Sequence, residues 1–313
     1  MPSSIPHPSS SPILIAGPTA SGKSAVALEI AQRVGGEIIS VDSMQVYRGL
    51  DLGTAKPTPA ERARVPHHLV DVVDLADSFD AATFLRLAGE AATQITSRGR
   101  VPVFCGGTGL YFKAWIEGLA GAPAPDPALR AELEVTPREE LLRELEQRDP
   151  AAFARIDRKN PRRVVRAVEV VRLTGRPVAI GRGRGPHWSH PSPIPVLCLR
   201  RAAPDLRARI HARVDSMFAR GLVAETESLL AKGLAQNRTA MQALGYRQVV
   251  EHLHGAADLA ATVAMVKTRT WQFARRQMSW FRNQLDVEWL EVGEAEPAES
   301  VAGRVLAAAG PAG

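Results

Sequence analysis

Short apolar runs alternate with longer helical patterns along the first third of the chain. The run Ile13 to Ala16 predicts a buried strand, and a glycine turn then leads into a helical pattern at about 21–34. A longer helix is predicted from Ala81 to near Gly99, with Asp80 as its N-cap. Further runs of strand length lie at 37–41, 68–73 and 101–105. Because strands that alternate with helices form parallel sheets with right-handed crossovers, the pattern predicts an α/β fold.

The middle of the chain has a different pattern. The Pro-rich segment 121–127 is typical of a linker, and the sequence that follows it has helical character. Thr136-Pro-Arg-Glu139 matches a capping box with Pro at the first helical position, and Pro161 opens another helix that ends near Gly175. We therefore interpret residues 119–190 as a helical insertion.

The last part of the chain returns to the first pattern. Residues 194–199 predict a strand that joins the first sheet, and residues 287–292 predict a last short strand. Helical patterns lie at 205–221, 223–232 and 256–284. The predicted organisation is a disordered N-terminus at 1–11, a core at 12–118 and 191–295, the insertion at 119–190 and a C-terminal tail at 296–313.

Composition limits the class of protein. Apolar residues make up 45% of the 313 residues, which is typical of a soluble globular protein. No apolar run approaches the ~20 residues that a membrane-spanning helix needs, and the first residues do not resemble a signal peptide. We therefore expect a cytoplasmic protein that does not contact a membrane. Cys105 and Cys198 each lie in an apolar run, which predicts buried, reduced thiols.

The net charge of +6 is unevenly distributed along the chain. Between Arg155 and Arg213 there are 15 Lys or Arg residues and three acidic residues. A basic segment of this kind indicates a polyanionic partner, because each Lys or Arg that meets a phosphate releases condensed counterions. The alternative is a solvated surface of an Arg-rich chain, and the charge count alone does not decide between them.

A phosphate-binding loop follows the first predicted strand. The sequence Gly17-Pro-Thr-Ala-Ser-Gly22-Lys23-Ser24 matches G-x-x-x-x-G-K-[ST] at every fixed position, between a predicted strand and a predicted helix. Its glycines allow backbone N–H groups to converge on phosphate oxygens, Lys23 adds a positive charge, and Ser24 is able to hold Mg²⁺. The sequence therefore predicts an α/β fold of the P-loop NTPase type, with a parallel sheet flanked by helices and a helical insertion domain.

Asp42 is the acidic residue best placed beside this loop. In P-loop NTPases an apolar strand usually ends in an Asp that helps to hold Mg²⁺, but the run 101–105 ends in Gly106-Gly107. Asp42 instead follows the run 37–41 directly, and a residue at the carboxyl end of a parallel strand lies beside the ligand crevice. This position fits either a small kinase-like core or an enzyme that uses the acid for other chemistry.

At this point the chain resembles the tRNA dimethylallyltransferase family, also called tRNA isopentenyltransferases. Six matching segments occur in the order of the family and extend over nearly all of residues 13–292. They are Gly17 to Ser24, Asp42 to Pro57, Gly106 to Tyr111, Arg162 to Arg166, Gly245 to Gln248 and Thr270 to Arg282.

The resemblance implies transfer of a dimethylallyl group from dimethylallyl diphosphate to N6 of the adenosine just 3′ of the anticodon in tRNA. The lone pair of that amine is delocalised into the adenine ring, so a base must remove its proton as the new bond forms, and Asp42 is the candidate. Thr108 is expected to hydrogen-bond the reacting amine or the diphosphate, and it also fits the N-cap of the next helix.

The same resemblance implies the binding residues. Mg²⁺, held through Ser24, is the expected cofactor, and the partners are the donor and the anticodon stem-loop of tRNA, bound by a monomer. The donor diphosphate is expected to contact Gly17, Pro18, Thr19, Ala20, Ser21, Gly22, Lys23, Ser24 and Arg247. The tRNA is expected to contact Asp42, Ser43, Met44, Gln45, Thr108, Arg130, Arg162, Arg163, Val164, Val165, Arg166, Gly245 and Tyr246.

Two other interpretations stay open beside this one. A P-loop kinase of a small metabolite would use the helical insertion as a lid. A GTPase-like switch is disfavoured, because a guanine-selecting Asn-Lys-x-Asp sequence is absent. In the basic segment Lys267 to Arg282 the aromatic residues are predicted to pack rather than to stack on bases. Arginines of that segment are expected to line the donor tunnel, but the sequence does not assign roles to Arg275, Arg276 and Arg282.

Overall fold

Six short parallel strands form the sheet at the centre of the fold. The computed structural model describes residues 11–119, 123, 126–176 and 194–309. Neighbouring strands are ordered β3-β2-β4-β1-β5-β6, and every pairing between them is parallel, which confirms the α/β prediction. The strands are β1 (Ile13–Ala16), β2 (Glu37–Val41), β3 (His67–His68), β4 (Pro102–Gly106), β5 (Val196–Arg200) and β6 (Glu288–Glu291).

The chain divides into two compact units. The larger unit contains residues 1–114 and 188–313, and the smaller unit contains residues 115–187. The helices assigned wholly or mainly to the larger unit are α1 (Lys23–Arg33), α2 (Pro59–Arg64), α3 (Ala81–Ser97), α4 (Gly109–Glu117), α9 (Ala203–Ala219), α10 (Leu222–Ala231), α11 (Tyr246–Leu253), α12 (Leu259–Gln284) and α13 (Ala298–Ala309). The helices of the smaller unit are α5 (Pro127–Val135), α6 (Arg138–Arg148), α7 (Pro150–Arg155) and α8 (Pro161–Thr174).

Apolar residues of the strands and of α1 form the main core of the larger unit. Ile15 and Val103 from adjacent strands are fully buried against Ile30 of α1. Burying a side chain of this size contributes about 1.5–3 kcal/mol relative to leaving it exposed. The central strands are buried along their whole length, as is typical of parallel sheets covered on both faces.

The C-terminal segment also belongs to this core. Residues 296–313 were predicted to be a tail, but 298–309 form helix α13, which packs against α1. Val301, Ala302 and Val305 are buried there, and their spacing places them on one face of the helix. The core of the larger unit therefore extends beyond residue 295. Of the predicted disordered N-terminus, residues 1–10 lie outside the described residues.

Two local predictions were wrong for identifiable reasons. The run 68–73 was predicted as a strand, but β3 ends at His68 because Leu69 and Asp71 have positive φ angles of 60° and 56°. Thr136 was predicted to cap α6, but its hydroxyl donates to the carbonyl of Glu132 at the end of α5. Only two residues separate these helices, so the hydroxyl is used by the first one.

The other helix boundaries follow local capping chemistry. Asp80 caps α3 by accepting a hydrogen bond from the N–H of Thr83, as predicted. Asn160 caps α8, which starts at Pro161 and ends before Gly175 in the left-handed conformation. Among the helices that the structure describes, none combines the length and the apolarity that crossing a membrane would require.

The smaller unit has its own apolar core. Leu133, Leu145, Val164 and Val168 are fully or almost fully buried where α5, α6 and α8 meet. The predicted insertion, 119–190, overlaps this unit, although residues 177–190 lie outside the described part of the chain.

Candidate active site

A cavity of about 410 Å³ opens at the carboxyl ends of β1, β2 and β4 in the larger unit. Loops at this edge of a parallel sheet are the usual place for ligands. Residues from the phosphate-binding loop, the loop after β2, the turn after β4, α9 and α12 line the cavity. Eight of the predicted site residues are among them: Thr19, Lys23, Ser24, Asp42, Ser43, Met44, Gln45 and Thr108.

The backbone of the phosphate-binding loop depends on two glycines with positive φ angles. Gly17 has φ 153°, and a Cβ atom there would lie 3.0 Å from the carbonyl oxygen of Leu199. Gly22, with φ 95°, is the N-cap of α1. The first N–H groups of α1 have no partner within the helix, so they are available to an anion at the positive end of the helix dipole.

Lys23 brings a positive charge into the cavity. Its Nζ donates a hydrogen bond to the carbonyl of Pro18 at 3.3 Å. Burial lowers the pKa of the Lys23 ammonium, and the nearby guanidinium of Arg213 lowers it further, whereas Asp42 acts in the opposite direction. A diphosphate at this position would offset the cost of burying the charge.

Arg213 is a charged residue of the cavity that was not among the predicted site residues. It lies on α9, lines the cavity, and donates a hydrogen bond from Nη1 to Oγ1 of Thr19 at 3.1 Å. Burial lowers the pKa of the Arg213 guanidinium. Within the part of the chain that the structure describes, no carboxylate pairs with it, so the charge is available to an anionic ligand. The feature of the sequence that could have indicated this residue is the basic segment between Arg155 and Arg213, which ends at it.

Two further arginines hold the phosphate-binding loop from outside. Arg201 donates from Nε to the carbonyl of Ser21 at 2.8 Å, and Arg209 donates from Nε to the carbonyl of Ala20 at 3.0 Å. Ala20 has a positive φ of 64°, which is uncommon for a residue other than glycine. By binding these carbonyl oxygens, the arginines help to fix the conformation of the loop.

Asp42 lies directly after β2 and faces the cavity. Its Oδ1 accepts hydrogen bonds from the N–H groups of Met44 at 2.8 Å and Gln45 at 3.2 Å. These two bonds fix the orientation of the carboxylate. Among the described residues, Oδ2 has no hydrogen-bond partner, so one carboxylate oxygen is available to a ligand.

Thr108 lies beside Asp42 because β2 and β4 are neighbours in the sheet. Its N–H donates to the carbonyl of Val41 at 3.2 Å, and its Oγ1 accepts from the N–H of Ser43 at 3.1 Å. A threonine hydroxyl has one hydrogen to donate, and this bond leaves it free for a substrate atom.

The loop from Asp42 to Pro57 is held by its own side chains. Oε1 of Gln45 accepts from the hydroxyl of Ser40, and Nε2 donates to the carbonyls of Thr54 and Ala55. The carboxamide of Gln45, which was expected to contact tRNA, therefore uses both of its hydrogens within the loop. Lys56 is 3% exposed in its side chain and donates to the carbonyl of Tyr47 at 2.6 Å.

Tyr246 anchors this loop instead of presenting a surface to RNA. Its ring is fully buried, and its hydroxyl donates to Glu225 at 2.5 Å and accepts from the N–H of Gly53 at 3.1 Å. Burial raises the pKa of the Tyr246 hydroxyl. A Cβ atom at Gly53 would lie 2.4 Å from the Tyr246 ring, so the two residues are in direct contact. Gly245 precedes it as the N-cap of α11 and does not line the cavity.

Arg247 is not placed at the donor site. Its side chain is 66% exposed, and its Nε is 3.0 Å from a carboxylate oxygen of Glu251, one turn further along α11. It is absent from the lining of the cavity described above. No described residue of α11 lines that cavity, and the sequence motif did not show that Arg247 lies on the exposed side of the helix.

The basic residues of the smaller unit have different environments. Arg130 and Arg166 both pair with Glu169, which is fully buried, at 2.5 and 2.6 Å. Burial alone would raise the pKa of Glu169, but its hydrogen bonds to the two guanidiniums hold that pKa below its usual range. Arg162 and Arg163 are exposed at the start of α8. Val164 is buried in the apolar core of the unit and Val165 packs against that core partly buried, and their contact with tRNA stays a prediction.

Helix α12 contributes both packing and charge to the larger unit. Phe281 is buried in edge contact with Phe112, and the Trp280 ring lies against Gly109, which supports packing roles for these aromatics. Phe273 lines the cavity, with the guanidinium of Arg276 over its ring at 5.9 Å. Arg275, Arg276 and Arg282 are all exposed, and of the three only Arg276 lines the cavity.

Comparisons with known proteins identify one kind of relative. A family model described as IPP transferase matches residues 45–284, and one described as isopentenyl transferase matches residues 11–76. A tRNA dimethylallyltransferase of Geobacter sulfurreducens is 44% identical over 283 residues, covering 89% of this chain and 91% of that protein. One from Halorhodospira halophila is 46% identical over 282 residues, covering 88% of this chain and 91% of that protein.

Solved structures agree with the sequence comparisons. A tRNA isopentenylpyrophosphate transferase from Bacillus halodurans has a TM-score of 0.66 and 37% identity, covering 93% of this chain and 95% of that one. A eukaryotic dimethylallyltransferase described as acting on tRNA has a TM-score of 0.74 and 26% identity, covering 90% and 74%.

Proposed function

The chain belongs to the IPP transferase family, and from that premise we propose that it transfers a dimethylallyl group from dimethylallyl diphosphate to tRNA. The proposed acceptor is N6 of the adenosine just 3′ of the anticodon. The observation that carries the proposal is a single cavity lined both by the cationic phosphate-binding loop and by Asp42 and Thr108. The first set of groups suits a diphosphate, and the second suits an amine that must lose a proton.

Positive groups on two helices, α1 and α9, support binding of the donor diphosphate. The N-terminal amides of α1, the ammonium of Lys23 and the guanidinium of Arg213 meet at the same part of the cavity. As the bond between the allylic carbon and oxygen breaks, negative charge grows on the departing diphosphate. Fixed cations and N–H groups stabilise that charge without having to reorganise.

The donor end of the cavity also suits a Mg²⁺ ion. The hydroxyl of Ser24 lines the cavity, and the described residues contain no group of three or more His, Cys, Asp or Glu that could hold a metal by themselves. An ion held by Ser24, diphosphate oxygens and water has the ligand set that Mg²⁺ prefers. When bound, the ion would neutralise part of the charge on the diphosphate.

Asp42 is proposed to act as the base. The N6 nitrogen attacks the allylic carbon, the carbon–oxygen bond breaks with its electron pair on the diphosphate, and the N6 proton passes to Oδ2 of Asp42. Oδ1 is already held by two backbone N–H groups, so the carboxylate does not have to be oriented at the moment of reaction. The hydroxyl hydrogen of Thr108 is available to a neighbouring substrate atom.

The smaller unit is proposed to bind the anticodon stem-loop. Arg162 and Arg163 are exposed on α8, where their charges can reach phosphates. Arg130 and Arg166 are partly exposed, and their pairing with Glu169 fixes their positions. The acceptor adenosine would have to leave its stack to enter the cavity, and loops of RNA allow this at lower cost than duplexes.

The test is mass analysis of tRNA nucleosides after incubation with the protein, Mg²⁺ and dimethylallyl diphosphate. We expect an adenosine that carries one dimethylallyl group, together with release of diphosphate, only when protein and tRNA are both present. Turnover of ATP without RNA, and no modified nucleoside, would instead support the metabolite kinase that the phosphate-binding loop alone left open.

A further inference from the structure

Gln277 is a buried polar residue that joins two parts of the cavity. It lies on α12, is 8% exposed and lines the cavity. Its Oε1 accepts a hydrogen bond from the N–H of Thr19 at 2.9 Å, and its Nε2 donates one to the carbonyl of Gly107 at 2.9 Å. One carboxamide therefore links the phosphate-binding loop after β1 to the glycine turn after β4.

Each of the two loops that Gln277 joins also contacts a residue with a role in the proposed reaction. On the donor side, the hydroxyl of Thr19 accepts the hydrogen bond from Arg213. On the acceptor side, Gly107 precedes Thr108, whose hydroxyl oxygen accepts the N–H of Ser43 next to Asp42. The part of the cavity that holds diphosphate and the part that holds the base thus share one side chain.

A carboxamide has the chemistry that this position requires at neutral pH. One end must accept from an N–H and the other must donate to a carbonyl, which fixes the orientation of the Gln277 amide. An ionised carboxylate cannot donate, and an apolar side chain can do neither. The contact with the turn is also close, because a Cβ atom at Gly107 would lie 2.3 Å from Nε2 of Gln277.

We propose that Gln277 is a positioning residue that sets the distance between the donor diphosphate and the Asp42–Thr108 pair. The inference rests on the proposed prenyl transfer. Reacting atoms must be held about 3–3.5 Å apart, and a displacement of about 1 Å can cost on the order of 10²-fold in rate. A side chain that fixes both halves of the cavity therefore controls the rate without touching the reacting atoms.

The variant that tests this role most directly is Gln277→Glu, which keeps the shape of the side chain and replaces only the donating Nε2 group with an oxygen. As a carboxylate it places an oxygen against the carbonyl of Gly107 and adds negative charge beside the diphosphate. When protonated, its O–H can again donate to that carbonyl. We expect kcat to fall at least ~10-fold at about pH 8 and to recover toward wild type as the pH falls to about 6.

The measurement is kcat and the donor KM across this pH range, each divided by the wild-type value at the same pH, which removes the pH dependence that the variant shares with the wild type. Gln277→Met should lose kcat at every pH, while the affinity for tRNA measured without donor stays within about twofold. Gln284→Glu, at an exposed position of the same helix, is the matched control and should follow wild type.

The outcomes separate this inference from the proposed function. If the wild type makes no prenylated tRNA, the proposed function fails. If the wild type is active and the ratio of Gln277→Glu to wild type does not change with pH, the positioning role is wrong. If Gln277→Met does not fold, the test rests on Gln277→Glu alone. If Gln277→Glu is also unfolded across the pH range, the positioning role is wrong and Gln277 is required only for folding.

Discussion

Replacing Arg213 with Gln removes the unpaired guanidinium from the donor end of the cavity and leaves a polar side chain in its place. In the described structure Arg213 makes one hydrogen bond to a neutral hydroxyl and has no carboxylate partner, so little folding stability depends on its charge. A diphosphate would instead receive a charge-assisted hydrogen bond, which contributes about 1.5–3 kcal/mol. That range corresponds to roughly 10- to 150-fold in binding or rate.

The effect on the rate should lie at the upper end of that range. Negative charge grows on the diphosphate as it departs, and removal of one donor that stabilises such charge typically costs about 10²–10³-fold. We therefore expect kcat/KM for the donor to fall by about 10²-fold, with a decrease in kcat as well as a rise in KM. The assay is steady-state transfer with the donor varied and the anticodon stem-loop saturating.

Arg247→Ala provides the contrast, because sequence resemblance placed Arg247 at the donor whereas the structure places it in an exposed pair with Glu251. Such pairs contribute about 0.3–0.5 kcal/mol, so activity should stay within about twofold. The reasoning is refuted if Arg213→Gln stays within about threefold of wild type. It is also refuted if Arg247→Ala shows the larger loss, which would return the donor role to Arg247.

Three further changes test other parts of the protein. Asp42→Asn should keep tRNA affinity and lose most turnover, and a loss below about tenfold, or ~1.4 kcal/mol, would show that Asp42 is not the base. Arg163→Ala should reduce the salt dependence of tRNA binding by about one unit of slope, and an unchanged slope would remove Arg163 from the interface. Glu169→Gln should destabilise the smaller unit by about 2–3 kcal/mol, less than a fully buried pair because both arginines are partly exposed. The pKa of Glu169 is lowered on folding, so the stability that its ionised carboxylate contributes is present at neutral pH and is lost as the pH falls through the folded pKa. The thermal unfolding temperatures of wild type and variant should therefore converge in acid. A difference between them that stays constant with pH would contradict this.

Local sequence predicted the features that depend on contiguous residues. The runs that became β1, β2 and β4 were predicted because strands buried on both faces are continuously apolar. The phosphate-binding loop was predicted because its glycines and lysine are fixed by the geometry of one turn and one helix end. The position of Asp42 beside that loop was predicted because the carboxyl ends of parallel strands border the ligand crevice.

Predictions failed where a choice depended on contacts from elsewhere in the chain. The apolar spacing at Val301, Ala302 and Val305 was present in the sequence, but only packing against α1 shows that this segment completes the core. The error at Thr136 was local instead, because its hydroxyl could serve the helix before it or the helix after it, and the short connection decides in favour of the first.

By itself, then, the sequence determined the α/β fold, the phosphate-binding loop and the position of one acid beside it, because each depends on neighbouring residues and on a regular period. Only the tertiary structure decided which distant side chains meet that loop. Arg213 and Gln277 lie about 200 residues or more beyond Thr19 in sequence, yet both bond to it. Arg247 and Tyr246 are adjacent in sequence, yet one is exposed and the other is buried beneath the loop after β2. The packing of the helices decides which side of each helix faces the cavity, and a sequence motif alone does not show that.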